Sequence, residues 1–470
     1  MRRPLCILAA LLGAAGATHA QAPASARIDS VFQAFEAAGS PGCAVGVVRD
    51  GAIVYQRGYG FANLDHGIRN GPDIVYYVGS VSKQFTAAAI ALLAQEGRIG
   101  LDDDVRRYVP ELPDYGEPIT VRQLVNHTSG LRDIYVLMSL AGLRLEDVFT
   151  DDDALALIAR QRELNFAPGT DYLYSNSGYF LLGQIVERVT GQSLREYADA
   201  KIFQPLGMTH THFHDQPWRV VPNRASSYEP GPDGFRINYL ANFDKVGAGG
   251  LYSTIGDLAK WDANFYEPTV GGAPLLETLH TRAVLDRGDT ISYAFGLVVE
   301  PVRGLPTVRH SGAMMGFRSD FVRFPTERTS VITLCNVSTS NPTALNDRVA
   351  ALVLGDRLAP PPARPQAANA AARPAAAPSA YTPAELAAFT GRYWSEELQA
   401  AYDVAVTGDT LRLTRRPAGT QPLRPAGADR FTAAGHTLAF ERDAAGAVTG
   451  FTVEAGRVRN IRFARRPPAP

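Results

Sequence analysis

Three short clusters combine residue types that can do chemistry. In the first, Ser80 and Lys83 lie three residues apart in Gly79-Ser80-Val81-Ser82-Lys83. Phe85, Ala88, Ala89, Leu92 and Leu93 follow at helical spacing, so the cluster opens an amphipathic helix. A serine at a helix start sits among unpaired backbone N–H groups at the positive end of the dipole. One turn later a lysine shares its face, and a desolvated lysine of lowered pKa can accept the serine proton. The same residues would equally serve as an N-cap and a solvated side chain. The second cluster is Tyr174-Ser175-Asn176, on a predicted loop over 168–176 ahead of a helix carrying Phe180, Leu181, Leu182, Ile185 and Val186. A phenol there can relay a proton, and an asparagine amide can grip a substrate carbonyl. The third is His310-Ser311-Gly312 on a predicted strand, followed by Ala313 and Gly316. Glycine there signals a backbone that something approaches closely.

These clusters need a scaffold that brings distant segments together. The chain has 470 residues, enough for two domains with extras. At its start, Arg2 and Arg3 precede an apolar run over 5–17 and then Thr18-His19-Ala20. This is the form of a signal peptide over 1–20, cleaved after Ala20, and it implies a periplasmic or secreted protein. No later stretch is long and apolar enough to span a membrane. Residues 21–358 read as one mixed α/β unit. A helix is predicted over 28–38, and strands over 43–49 and 52–59 flank the hairpin pair Asp50-Gly51. A long helical middle follows. Three strands, over 307–310, 320–324 and 331–334, precede a final helix over 342–354. Strands at both ends with helices between suit one sheet built from the two termini beside a helical cluster. Residues 359–380 are rich in proline and alanine and read as a semi-stiff linker. Over 381–470, short alternating runs (Tyr402, Val404 and Val406; Leu411 and Leu413; Phe451 and Val453) are separated by Gly-Asp, Ala-Gly and Gly-Arg breaks. They predict a small all-β domain, a barrel or a sandwich.

In this order, Ser-x-x-Lys, Tyr-x-Asn and His-x-Gly resemble the serine β-lactamase and penicillin-binding superfamily. The Tyr-x-Asn form is similar to the branch holding class C β-lactamases, DD-carboxypeptidases, D-aminopeptidases and related esterases. Supporting phrases are Asn126-His127-Thr128-Ser129-Gly130-Leu131, Phe203-Gln204-Pro205-Leu206-Gly207-Met208 and Gly249-Gly250-Leu251-Tyr252-Ser253-Thr254. The resemblance covers roughly residues 25–356. It implies an α/β (α+β) fold with an antiparallel sheet of terminal strands and a helical cluster, followed here by the all-β domain. It also implies an exported serine hydrolase acting through an acyl-enzyme on a peptide, possibly D-configured, or an ester. Ser80 would be the nucleophile, with Lys83 and Tyr174 sharing the proton transfers. Asn176, His310, Ser311 and Gly312 would bind substrate. The N–H groups of Ser80 and Ala313 would form the oxyanion hole. Two alternatives are a class C-like β-lactamase and a penicillin-binding sensor module that acylates without turnover. His310 stands where class C enzymes carry a lysine, a permanent cation for a substrate carboxylate. A histidine there predicts a pH-dependent interaction with carboxylates instead. The family's sheet would also set Cys43 beside Cys335, within ~7 Å or one register step; export to an oxidising compartment would allow a bond between them, and small unbonded thiols are the favoured alternative because cross-strand geometry accepts a disulfide at few positions.

Other patterns carry less. Lys+Arg 46 against Asp+Glu 47 gives a net charge of -1, which argues against a nucleic-acid or acidic-membrane partner; the small-molecule or peptide substrate is what the resemblance implies. No cofactor is implied, and metal ligands are not assigned. His210, His212 and His214 alternate as if on one strand face, with no further ligand identifiable. Asp102-Asp103-Asp104 and Asp151-Asp152-Asp153 read as helix caps. Glu163-Leu164-Asn165 echoes a deacylating glutamate motif at the wrong position.

Overall fold

The computed structural model describes residues 24–238, 242, 244–360 and 381–467. The signal peptide expected over 1–20 and nearly all of the linker expected over 359–380 lie outside the described residues. Helix α1 (Ala24–Phe32) is shorter than predicted, because the chain tightens into a 3₁₀ turn over Gln33–Glu36 before Gly39. The principal sheet has six antiparallel strands: β1 (Cys43–Arg49), β2 (Ala52–Tyr59), β3 (Val298–Val302), β4 (Leu305–Met314), β5 (Phe317–Phe324) and β6 (Thr329–Cys335). Their order is β3-β4-β5-β6-β1-β2, so the two chain ends meet at the β6–β1 pair. The strands predicted near the C-terminal end extend further than expected, because ladder pairing continues into the polar residues Ser311 and Ser319.

Period two explains why β1 is buried along almost its whole length. Val45 and Val47 face one core with α1 and the helix Pro342–Leu354, while Ala44 and Val48 face the larger core beneath the central helices. That helical layer includes α2 (Lys83–Gln95), α3 (Ile134–Ala141) and α4 (Asn176–Thr190). It contacts one sheet face, and the terminal helices cover the other.

The C-terminal region forms one nine-stranded antiparallel sheet. Its strands are β7 (Gly391–Ser395), β8 (Ala400–Thr407), β9 (Thr410–Arg415), β10 (Gly419–Pro422), β11 (Arg424–Gly427), β12 (Arg430–Ala433), β13 (His436–Arg442), β14 (Val448–Ala455) and β15 (Val458–Arg466). The order β10-β9-β8-β7-β15-β14-β13-β12-β11 is continuous, which gives a barrel-like sheet and not a two-sheet sandwich. Phe389, Tyr393, Tyr402, Phe431, Phe440, Phe451 and Phe463 are buried and contact one another, so aromatic side chains fill its concave side.

Cys43 and Cys335 are direct register partners with Cα atoms 4.0 Å apart. The expected proximity holds, but the expectation of free thiols does not: the pair is a disulfide. It links the start of β1 to the end of β6 across 292 residues of chain.

Candidate active site

The turn carrying Ser80 is a 3₁₀ helix, Gly79–Ser82, that runs directly into α2. In that geometry residues i and i+3 eclipse, so Ser80 and Lys83 align. Lys83 Nζ lies 3.2 Å from Ser80 Oγ. The lysine is fully buried and also donates to Asn176 Oδ1 at 2.8 Å and to the Ala248 carbonyl at 2.5 Å. No carboxylate touches it among the described residues. Burial, with a further push from Arg457, holds its pKa well below the ordinary lysine value, against the pull of Asp133. The rings of Tyr174 and Tyr179 stand 4.8 Å and 5.3 Å from the ammonium position.

Tyr174 is on a loop as predicted, but the helix starts earlier than predicted, at Asn176. The Tyr174 hydroxyl is buried without a well-formed hydrogen bond, and Ser80 is the group that acts on it most directly. Desolvation raises its pKa far above the usual phenol value despite that contact. Beside it, the ring of His127 lies 4.2 Å from that of Tyr174, and His127 Nδ1 accepts from the Ser175 N–H. His127 therefore braces the Tyr174 loop from within.

Asn176 is less free than the sequence suggests. Its Oδ1 is taken by Lys83, and its Nδ2 and backbone N–H both donate to Asp133 Oδ2 at 2.8 Å. In the unliganded protein its amide therefore orients the lysine. Asp133 is fully buried and caps α3, accepting from Tyr135 N and Val136 N through Oδ1.

On the opposite side, β4 and β5 press against the serine turn. A Cβ on Gly312 would lie 2.1 Å from the Val78 carbonyl oxygen and 2.9 Å from Ser80 N. One on Gly79, at φ +55°, would lie 2.7 Å from Ala313 N. The N–H groups of Ser80 and Ala313 are thus held in a tight seam that only glycine at positions 79 and 312 permits. Ser319 Oγ fastens this seam by donating to the Val78 carbonyl at 2.6 Å.

His310 differs from the expectation of a titrating carboxylate partner. Its Nδ1 donates to the Ser311 carbonyl at 2.6 Å, which leaves Nε2 to accept from the Tyr293 hydroxyl at 3.0 Å. Burial, and secondarily Lys83, push its pKa down to about 4. Burial thus favours the neutral imidazole near neutral pH, unlike a permanent cation at this strand position.

Ser80, Tyr174, Asn176, His310, Ser311, Gly312 and Ala313 all line one cavity of about 790 Å³. Lys83 sits behind the wall. Two residues that the sequence reading did not select complete the arrangement. Asp133 had the signal of an acidic residue immediately before an apolar helix. Arg457 had only a turn signal; it projects from the hairpin between β14 and β15, where Gly456 takes φ +52° at the first turn position. Arg457 lines the cavity, places Nη2 3.2 Å from Asp133 Oδ1 and stands 5.5 Å over the Tyr174 ring. A chain of contacts therefore runs from the C-terminal sheet to the serine: Arg457, Asp133, Asn176, Lys83, Ser80.

That turn is held firmly. The Arg457 carbonyl accepts from Asn165 Nδ2 at 3.0 Å, and the Arg459 N–H donates to Asn165 Oδ1 at 2.8 Å. Nearby, Arg132 is buried, pairs with Glu397 at 2.6 Å and donates to the Arg459 and Asn460 carbonyls. The Glu163-Leu164-Asn165 segment set aside above is thus part of the seam between the two sheets' domains. Among the described residues no group of three or more His, Cys, Asp and Glu side chains could hold a metal ion.

A family model described as Beta-lactamase matches residues 28–356. A D-aminopeptidase of Gluconobacter oxydans is 31% identical over 314 residues, covering 66% of this chain and 59% of its own length. Penicillin-binding protein 4* of Bacillus subtilis is 30% identical over 303 residues, covering 61% of this chain and 66% of its own. The chain thus spans between 59% and 66% of the length of these curated relatives. Among solved structures, the octameric penicillin-binding protein homologue from Pyrococcus abyssi is 26% identical with a TM-score of 0.63, covering 93% of this chain and 99% of that one. That match reaches past the family model into the C-terminal sheet.

Proposed function

The chain belongs to the β-lactamase family, and from that premise we propose that it is a serine hydrolase that acylates Ser80 with a peptide or ester substrate, D-configured peptides foremost. The observation that carries the reading is the 3.2 Å approach of a buried lysine without a carboxylate partner to the Ser80 hydroxyl. In the proposed reaction Ser80 Oγ attacks the substrate carbonyl carbon, and its proton passes to Lys83 directly or through Tyr174. Negative charge gathers on the carbonyl oxygen between the N–H groups of Ser80 and Ala313. Preorganised donors of this kind are worth about 3–4 kcal/mol each in acyl transfer. The tetrahedral adduct then collapses. The bond to the leaving amine or alcohol breaks, and that group takes the proton back from the Lys83–Tyr174 pair. Water, deprotonated by the same pair, cleaves the acyl-enzyme and restores the Ser80 hydroxyl.

The names of the relatives, a D-aminopeptidase and a penicillin-binding protein, support peptides as the substrate class. The Cys43–Cys335 disulfide supports export to an oxidising compartment. No helix among the described residues is long and apolar enough to cross a membrane. The test is a time course with a D-peptide ester and with a labelled penicillin, quenched at intervals and read by intact mass. Label that appears and then decays supports a hydrolase. Label that stays on the protein with both reagents contradicts turnover, and absence of label with both contradicts acylation.

A further inference from the structure

Lys83 must be uncharged to take the Ser80 proton, and the side chains around it decide whether it can be. Facing it are Tyr174 from its loop, Tyr179 from α4, His127 from the segment that braces Tyr174, His310 from β4, Asp133 at the head of α3 and Arg457 from the β14–β15 turn. Burial holds the two imidazoles below their ordinary pKa and the two phenols above theirs, so all four favour the neutral form near neutral pH. Asp133 and Arg457 remain as the charged neighbours. Asp133 is fully buried and accepts from Tyr135 N, Val136 N and Arg457 Nη2 through Oδ1, and from both Asn176 donors through Oδ2. Every partner donates, as an ionised carboxylate requires. Among the described residues its one ion pair is with Arg457, at 3.2 Å.

A buried charge needs a countercharge close by. Two cations can supply it to Asp133. Arg457 does so by direct contact. Lys83 could do so through Asn176, whose side chain donates to Asp133 and accepts from the lysine. With Arg457 in place, the buried group is balanced when Lys83 is neutral. Without it, balance calls for the ammonium, which has no room for another proton. Arg457 also acts on the lysine as a like charge, since both cations flank the Tyr174 ring, at 5.5 Å and 4.8 Å from its centre. The two influences have the same sign: Arg457 pushes the lysine proton off, against the pull of Asp133.

We propose that Arg457 is a positioning residue of the reaction: by pairing with Asp133 it relieves Lys83 of serving as that carboxylate's countercharge, and so leaves the lysine free to act as the base. The proposal rests on the reading of Ser80 as the nucleophile and Lys83 as its base. Arg457 lies outside the segment 28–356 that the family model matches. The hydrolase segment thus receives from the C-terminal sheet a charge that its own base depends on. Arginine suits the task because the guanidinium stays charged at any working pH, so the pairing does not lapse where the lysine titrates. The turn is held in place by Asn165, which donates to the Arg457 carbonyl at 3.0 Å and accepts from the Arg459 N–H at 2.8 Å.

The test is the rate at which a simple alkyl fluorophosphonate labels Ser80, measured across the pH range in which the fold stays intact. Wild type, Arg457→Gln and Arg457→Lys are compared. The probe carries no carboxylate, so a change in its rate cannot come from carboxylate binding. Loss of the Arg457 charge strengthens the lysine's hold on its proton, so the rising limb of the Arg457→Gln profile should move to higher pH. Labelling should slow by ~10-fold on that limb and much less on the plateau, the order expected when one charge near a buried base is removed. Arg457→Lys keeps the charge and should hold the profile close to that of the wild type. A profile that Arg457→Gln leaves in place, or lowers equally at every pH, would overturn the proposal and leave Arg457 a turn residue that only holds the seam. Equal displacement in both variants would overturn it too, because charge would not be the cause. Absence of label on Ser80 in the wild type would overturn the nucleophile reading and this proposal with it. Wild type that labels, beside an unmoved Arg457→Gln profile, refutes the role of Arg457 alone.

Discussion

The two walls of the cavity are built in different ways. One wall is built from short runs: the 3₁₀ turn at Ser80, the Tyr174 loop and the adjoining strand β4 each carry their functional residues close together in sequence, and glycines at 79 and 312 let the turn and the strand close on each other. The other wall is assembled at long range. Arg457 reaches Asp133 across 324 residues of sequence, and the hairpin that carries it is held by Asn165 and by the seam around Arg132 and Glu397. The first wall holds the groups that would make and break bonds. The second positions them through Arg457, Asp133 and Asn176. The groups assigned to the proposed reaction come in short runs of sequence, while those that position them come from segments far apart.

Breaking the first wall should have the largest effect. Lys83→Ala and Tyr174→Phe should each lower kcat/KM on an activated ester by ~10²–10⁴-fold, and the double variant by much less than the product, since the groups act as a unit. Gly312→Ala should cost ~10²–10³-fold, because the added methyl forces the Val78–Ser80 segment away from β4 and spoils the oxyanion seam. Near-wild-type rates in either case would mean that the two sides of the serine are not coupled in the way described.

Breaking the second wall should show first in stability. Glu397→Ala leaves the buried Arg132 without its countercharge, a change commonly costing about 3–5 kcal/mol. Thermal unfolding should fall by several degrees. Activity should fall with it, since a displacement of only ~1 Å in a positioning group can cost ~10²-fold. Unchanged unfolding with lost activity would place Glu397 in the chemistry and not in the seam.

These walls were unequally legible. Ser80, Lys83, Tyr174 and His310–Ala313 were legible as three ordered motifs that resemble a known family; the short-range patterns by themselves, an apolar stripe behind Ser80 and turn residues before Tyr174, left a plain N-cap reading of Ser80 open. The six-stranded sheet was visible in outline, with its first hairpin at the predicted residues. Asp133 reads from sequence as an ordinary helix cap, and its role appears only when Asn176 and Arg457 arrive from other segments. Arg457 reads as half of a turn. The lowered pKa of His310 comes from its burial and secondarily from Lys83 on another segment, which no spacing rule supplies. The proximity of Cys43 and Cys335 was legible but their bond was left open, because pairing register can set two cysteines opposite each other without fixing whether their side chains meet.

Acid should destabilise the protein through buried histidines in both kinds of surroundings. His212, His280 and His310 have pKa values lowered to about 4, in each case chiefly by burial. Between pH 6.5 and 4 the unfolded chain binds protons that the folded chain refuses, so stability should decline as pH falls through that window. Unfolding free energies measured from pH 7 to pH 4 check the sign. His310→Asn should flatten the slope; an unaltered slope would mean that His310 does not contribute. Since His310 stays neutral above pH 5, its titration should leave no inflection in the rate between pH 5 and 8.

The smallest effect on rate should come from the disulfide, which lies outside the cavity lining. Replacing Cys43 and Cys335 together by alanine should cost about 2–5 kcal/mol of stability, read from denaturant midpoints. The rate of ester hydrolysis under folded conditions should change little. A large loss of rate with stability intact would show that the β6–β1 pair positions the serine turn more directly than its place in the sheet suggests.

The most direct test of the account is the identity of the labelled residue. Wild type and Ser80→Ala are incubated with a fluorophosphonate and digested, and the adduct is located by peptide mass. The account predicts one adduct per chain on Ser80 in the wild type and none in Ser80→Ala, with both proteins unfolding at the same temperature. An adduct on another residue in the wild type, or an undiminished adduct in Ser80→Ala, would contradict it.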